Sequence, residues 1–467
     1  MIFKNLKNIQ DNNFQVIIVG SGPAGISVAL KLEEQKINSL IIEAGQEDYS
    51  EASQKFYKSK IIGDNVSDLE SSRLRQFGGT SDIWGGWSKP MEDYNLSSWV
   101  IDHKKLNTYS EQTTKILNIK NQFRKTKINN NFNQIEFQYS DVKFKEKYKK
   151  HIAESKYINL VLNTQVLNFD GNEDLTEYVE CIFDGEKYKL RSNYFVLATG
   201  GIENSRILLW TQQINNLLDK NLPVGKYWMT HPWFLGGYGV LKKNKLAGYL
   251  NNNFIDADGP LHIASSKNFK DKNSLSCSLY MSALENEKLY KEIIKDILCI
   301  APEFGKKIAR SFFKKDLKCG NIFLHFEELS SDKNRITLDK KITDDNGVPI
   351  TNLFYKKSKS TLVSAKKTLE EFANTCREFD LGRVAIKDDI YELKQYDSLG
   401  VYHHLGGTRM GNSMEDSVVD KNLKVHKNKN LFVTGSSVFP SSGYTNPTFT
   451  IVQLSLNLGN YISKNII

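Results

Sequence analysis

Cysteine is scarce in this chain. The five residues, Cys181, Cys277, Cys299, Cys319 and Cys376, are odd in number, far apart and free of any Cys-x-x-Cys pair. That pattern excludes a disulfide framework and a cysteine-built zinc site, and it fits a reducing compartment. Spanning segments are missing as well. The apolar run from Val16 to Leu30 is too short to cross a bilayer and is broken by Gly-x-Gly and Pro. The stretch MIFKNLKNIQDNN holds no apolar core of the kind a secretory signal needs. The formal charge is +9, yet Lys and Arg are spread evenly and form no basic block. No nucleic-acid arm is therefore expected, and the lysines read as solvated surface. A mild preference for anionic substrates, phosphorylated or nucleotide-linked, is the alternative. No internal repeat or long low-complexity segment occurs. These absences predict a cytoplasmic protein with no membrane span, no metal and no nucleic-acid partner.

What is present supports a large core, since 40% of the 467 residues are hydrophobic and 11% aromatic. A single core stops growing near ~250–300 residues, so the chain holds two or three domains or one large composite. Three regions, Gln15–Lys36, Tyr194–Trp210 and Asn430–Leu458, each run from a β-branched stretch through glycines into a helical pattern. Ser97–Asn133 is polar and mixed. Tyr238–Ile390 alternates strand-like runs (NIFLHFEEL, NRITL, ITNLFY) with turn signals, notably Asp344–Gly347, and holds helical stretches near Glu285–Phe313 and Ser358–Cys376. The expected fold is α/β plus α+β: a Rossmann-like nucleotide-binding domain in discontinuous pieces, with an antiparallel-sheet domain inserted. The pieces are 1–95, 141–235 and 396–467 for the first domain, and 96–140 and 236–395 for the second.

The strongest local signal is QVIIVGSGPAGISVALKLEEQKINSLIIEAG. A buried strand at Val16–Val19 meets Gly20, Gly22 and Gly25, then a helix over Ile26–Lys36, then a strand at Leu40–Ile42 ending in Glu43 and Ala44. Gly20 permits the turn, Gly22 lets backbone reach a pyrophosphate, and Gly25 lets helix and strand pack closely. Pro23 and Ala24 open a helix whose free N–H groups attract the anion. Glu43 suits ribose hydroxyls and disfavours a 2′-phosphate, so NADP is not expected. The fingerprint alone does not separate FAD from NAD.

A second loop, RQFGGTSDIWGGW, carries Arg75, the doublets Gly78–Gly79 and Gly85–Gly86, Thr80, Trp84 and Trp87. Its glycines let backbone lie flat against a planar ligand, and its tryptophans could wall an aromatic ring. A third, NYFVLATGGIENSRILL, brings Ala198, Thr199, Gly200 and Glu203 to a strand end. Together they favour FAD, the longer cofactor. Near the C-terminus a strand at Leu431–Thr434 leads to Gly435 and Ser436, and Asn446, Pro447 and Thr448 read as N-cap and first turn of a helix over Pro447–Leu458. Asn446 is either a cap or a group that reaches a substrate oxygen.

In order along the chain, VGSGPAG…E, FGGTSDIWGG, VLATGGIENSRILL, VGKYWMTHP, NRITLD…DDNG, HHLGGTRMG and NLFVTGSSVFP…NPTFT resemble the glucose–methanol–choline (GMC) family of FAD-dependent alcohol oxidoreductases. The resemblance covers nearly the whole length, and HLGGT and NPT are closest to the pyranose-oxidase-like branch and to bacterial members acting on sugars and cyclitols. It implies an FAD site formed by the residues above together with Val166. It also implies a catalytic pair: His404, four residues before Thr408, as the base that takes the hydroxyl proton while hydride passes to flavin N5, and Asn446 as donor to the developing alkoxide. Gly406 and Gly407 would let this turn press on the flavin ring. His403 is expected to be scaffold, and His231 to position its loop. Two departures matter. Ile83 stands where that branch tethers FAD through histidine, so noncovalent FAD is expected, and Gly435 stands where many members have Asp. The chain is short for the family, which implies a trimmed, more open pocket. The rival readings are a lyase of the same fold, a flavin-binding protein without turnover and an NAD-linked dehydrogenase. The partners implied are a small alcohol and an electron acceptor, whether oxygen, quinone or a carrier protein.

Overall fold

The computed structural model describes residues 1–3, 6–9, 13–66, 68–172, 174–242, 261–283, 317–400 and 402–466. The helical stretch expected near Glu285–Phe313 lies outside them. Six short parallel strands form the central sheet, in the order Ile2–Phe3, Ile158–Val161, Ser39–Ile42, Val16–Val19, Tyr194–Leu197, Leu431–Val433. The runs VIIV, SLII and INLV are buried at every position. Continuous apolar runs of this kind belong to parallel strands covered on both faces. The helix after the first strand spans Pro23–Glu33, and the long C-terminal helix, Thr448–Asn465, packs against it. Gly25 sits at the strand–helix crossing, where a Cβ would lie 1.9 Å from the Gly20 carbonyl oxygen.

A seven-stranded sheet is antiparallel throughout. Its order is Gly382–Ile386, Trp233–Lys242, Leu317–Phe326, Cys277–Ala283, Leu261–Ser265, Phe132–Ile135, Lys125–Lys127. The helix Lys359–Glu378, whose N-cap Ser358 accepts from Ser360 N–H, covers one face through Leu362, Leu369 and Phe372. The stretch 236–395 does not stay together, however. Its hairpin Arg335–Thr343/Pro349–Tyr355, turned by Asp344–Gly347 with Gly347 at φ 78°, pairs in parallel with Ser59–Gly63 instead. Ile336, Leu353 and Tyr355 then pack with Ile202 and Trp228 in a cluster separate from the core of the larger sheet. Apolar alternation defined these strands but not their neighbour. A second wholly antiparallel sheet, Gln165–Asn172, Leu175–Phe183 and Glu186–Arg191, lies against the helix Gly200–Ile214. Cys181, Cys277 and Cys376 are buried free thiols.

Glu92 joins three distant pieces of chain. Its carboxylate accepts from Lys89 (2.8 Å), from Lys125 on the edge of the large sheet (2.7 Å) and from the Tyr444 hydroxyl (2.6 Å). Burial alone would raise this carboxyl, but the two lysines outweigh it and hold the pKa down at about 2. A depressed carboxylate stabilises the fold above its unfolded pKa and loses that contribution as pH falls through the folded one. Glu92→Gln should therefore cost roughly 3 kcal/mol at pH 7. In urea titrations the difference from wild type should shrink as pH drops from 4.5 toward 2. A pH-independent difference would contradict the assignment.

Candidate active site

The strand ends, the glycine loops and the large sheet enclose one elongated cavity of about 780 Å³. Three helices aim their N-termini at it: Pro23–Glu33, Gly200–Ile214 and Thr448–Asn465. None of the three has a side-chain cap, so their first N–H groups are left for a ligand. Gly22 and Gly200 have nothing within 4 Å of where a Cβ would stand. Backbone there faces open space. An elongated ligand carrying a pyrophosphate suits this cradle.

Most residues assigned from sequence line the cavity. At one end are Gly20, Gly22, Pro23, Ala24, Glu43, Ala44, Arg75 and Val166; Gly79, Thr80, Trp84, Gly85 and Gly86 follow. Ala198, Thr199, Gly200, Glu203, Gly435, Ser436, Asn446, Pro447 and Thr448 complete the set. Gly25 and Gly78 do not line it. Gly25 serves helix–strand packing, and a Cβ on Gly78, at φ 83°, would stand 2.7 Å from the Lys145 nitrogen. Glu43 spends much of its capacity on its own loop, accepting from Ser21 N–H (3.0 Å), Ser21 Oγ (2.6 Å) and Gly45 N–H (2.8 Å). Glu203 is committed to ion pairs with Arg73 (2.9 Å) and Arg206 (3.4 Å).

Asn446 is not the N-cap. Pro447 holds that position with helical angles (φ −75°, ψ −21°), and its carbonyl accepts from Ile451. The helix thus starts at Thr448, and Asn446, one residue further out, lines the cavity. The glycines of the histidine turn also differ from expectation. A Cβ on Gly406 would lie 2.1 Å from Tyr227 O, and one on Gly407 would lie 2.4 Å from Ser205 Oγ. They press on neighbouring chain, and neither lines the cavity.

His404 is 6% exposed and lines the cavity. Its Nε2 lies 2.9 Å from Ser72 Oγ, which itself donates to the Leu69 carbonyl at 3.2 Å. With the serine proton so used, the ring N–H sits on Nε2 and points at the hydroxyl. Nδ1 then carries the lone pair, and it is buried with no partner among the described residues. Burial, and then the Arg73 charge, push this histidine down to about 3, so the ring is neutral.

His403 is not set apart. It lines the same cavity, as do His231, His262 and His325. The His231 Nδ1 and His403 Nδ1 atoms are 2.8 Å apart. Burial lowers His231 and His262 to about 4 and holds His403 and His325 well below the usual histidine range. Sequence reasoning missed His262, His325, Tyr280 and Trp233, all four of which line the cavity from the large sheet. Register brings them together: His325 opposes Trp233, and His262 opposes Tyr280. The available signal was one histidine inside the apolar run IFLHF.

Comparison with known proteins agrees with this geometry. Residues 330–455 match the C-terminal family model of the GMC oxidoreductases. The chain is 26% identical over 298 residues to 2-methyl-1,2-propanediol dehydrogenase of Mycolicibacterium austroafricanum, covering 60% of this chain and 49% of that protein. It is 25% identical over 291 residues to the fructose dehydrogenase large subunit of Gluconobacter japonicus, covering 61% and 49%. The chain spans about half the length of the curated relatives it matches. Among solved structures, pyridoxine 4-oxidase from Mesorbium loti aligns with a TM-score of 0.59 at 13% identity, over 96% of this chain and 99% of that one. A formate oxidase of Aspergillus oryzae RIB40 aligns at 0.57 and 15% identity, over 98% and 99%. At these identities the likeness shows the fold. Among the described residues no helix is long and apolar enough to cross a membrane.

Proposed function

We propose that the chain is a GMC oxidoreductase, on the match of residues 330–455 to that family's C-terminal model, and that it oxidises an alcohol group of a sugar, cyclitol or sugar derivative to a ketone or aldehyde with FAD. The two curated relatives are named for a diol and a sugar, which supports a polyhydroxylated substrate. FAD, when bound, supplies the hydride acceptor. The uncapped helix N-termini and the open glycine backbone would hold its phosphates, and Glu43 would meet its adenosine ribose. Ile83, at the cavity wall, offers no ring nitrogen for a covalent tether, so the cofactor is held noncovalently.

The observation that carries this reading is that His404, kept neutral by burial, lines the same cavity as Asn446 and the glycine loops. His404 takes the hydroxyl proton, and Ser72, 2.9 Å from its Nε2, holds the ring at the cavity wall. Asn446 donates its amide N–H to the oxygen as charge develops. The strand residues from the large sheet exclude water from the other side.

The test is anaerobic. The FAD-loaded protein is mixed with a panel of sugars, cyclitols and nucleotide sugars, and the flavin absorbance is followed. Bleaching by a subset of the panel is expected. A flavin that stays oxidised while a panel member is cleaved would mean lyase chemistry; one that stays oxidised with no product at all would remove the proposed substrate class.

A further inference from the structure

His231, His325 and His403 come from three separate parts of the chain and converge on the cavity wall. One ring nitrogen from each lies within 4.8 Å of the other two. The ring centroids of His231 stand 4.6 Å from those of His325 and 5.0 Å from those of His403. We propose that this trio binds a divalent, nitrogen-preferring cation, Zn²⁺ above others, with its fourth position open to the cavity.

The surroundings orient the lone pairs. The Ser442 carbonyl can only accept, so His231 Nε2, 3.1 Å away, carries the hydrogen and His231 Nδ1 is left as a ligand atom. Metal-bound histidines show this arrangement regularly, the outer nitrogen donating to a carbonyl that fixes ring and tautomer. Ser442 is itself held in place by a 2.8 Å contact in which Glu328 N–H donates to its Oγ. Without metal, the 2.8 Å contact between the two Nδ1 atoms must be a hydrogen bond from His403 to His231. A cation would take the place of that shared proton, which moves to His403 Nε2; no net proton is released.

The spacing permits it. Ligand atoms about 2.0–2.1 Å from a tetrahedral zinc stand roughly 3.3 Å from one another. The present separations, 2.8 Å at the short side and up to 4.8 Å overall, bracket that value, so ring rotations suffice. Imidazole donors suit zinc, copper, iron and nickel and disfavour magnesium and calcium. Three histidines and an open position leave room for a water or a substrate oxygen. The absence of a Cys-x-x-Cys motif did not bear on this site, because its ligands are not near one another in sequence.

The experiment measures metal without turnover, so its outcome is separate from that of the alcohol reaction. The FAD-loaded full chain is equilibrated with Zn²⁺, dialysed against metal-free buffer and assayed for zinc. One zinc per chain is expected in wild type. His325→Ala, with flavin absorbance and circular dichroism unchanged, should bind at least about 100-fold more weakly, beyond the 10–100-fold cost of losing an outer partner. Should that variant not fold, Co²⁺ added to wild type decides: a four-coordinate ligand-field spectrum supports the site, and a spectrum of the free aqueous ion overturns it. Wild type that retains no zinc, or a folded His325→Ala that retains as much, also overturns it.

Discussion

His404→Ala is expected to slow anaerobic flavin reduction by about 10²–10⁴-fold, the usual contribution of a positioned general base. Stopped-flow mixing with the substrate found by the panel is the measurement. The flavin should stay bound, because the cradle for its phosphates uses other residues. Ser72→Ala is the informative companion. It removes the hydroxyl at 2.9 Å from Nε2 and leaves the ring in place, so kcat should fall less than in His404→Ala while KM changes little. If His404→Ala reduces as fast as wild type, His404 is not the base, and His403 and His262 on the same wall become the candidates.

Glu203→Gln should destabilise the fold by about 3–5 kcal/mol. The Glu203 carboxylate lies between Arg73 and Arg206, and all three side chains are at most 12% exposed. Removing one partner of a buried pair strands the remaining charge, which costs more than the pair itself is worth. Asp344, 2.7 Å from Arg206, will keep one arginine partly compensated. Among the described residues Arg73 has no second carboxylate, only backbone carbonyls, the Ser59 hydroxyl and the Tyr57 ring 4.2 Å away. Urea unfolding should show the midpoint fall with an unchanged slope. Adding Arg73→Met to the same chain should recover part of the loss. A Glu203→Gln change under 1 kcal/mol would mean that the two ion pairs are screened by solvent.

Those two residues show where sequence reasoning works and where it stops. The dinucleotide fingerprint is a local object. Strand, turn, helix and acid lie within thirty residues, and each has a steric reason visible in one dimension. The Asp344–Gly347 turn was legible for the same reason. Glu203 sits in an equally clear strand–helix motif, yet its partners are set by packing against Arg73, which no local pattern encodes. The histidine wall failed in the same way. His231, His325 and His403 meet only because a strand pairing and two loops bring them there. Asn446 was misplaced by one residue for a finer reason: Asn-Pro is as good an N-cap and first turn as it is an approach to a helix capped by proline backbone. Which one occurs depends on what the helix start faces.

The central sheet carries a consequence for the making of the protein. Its inner strand Val16–Val19 pairs with Tyr194–Leu197, which in turn pairs with Leu431–Val433. The helix Thr448–Asn465 then closes over the first helix. About 400 residues of synthesis separate the first inner strand from the last. At 5–20 residues per second the ribosome needs roughly 20–80 s for that interval. Throughout it, the VIIV and SLII segments, buried at every position in the finished fold, have no finished sheet to enter. The nascent chain therefore depends on being shielded from its neighbours, and production in cells should respond to chaperone supply more sharply than the stability of the finished molecule would suggest.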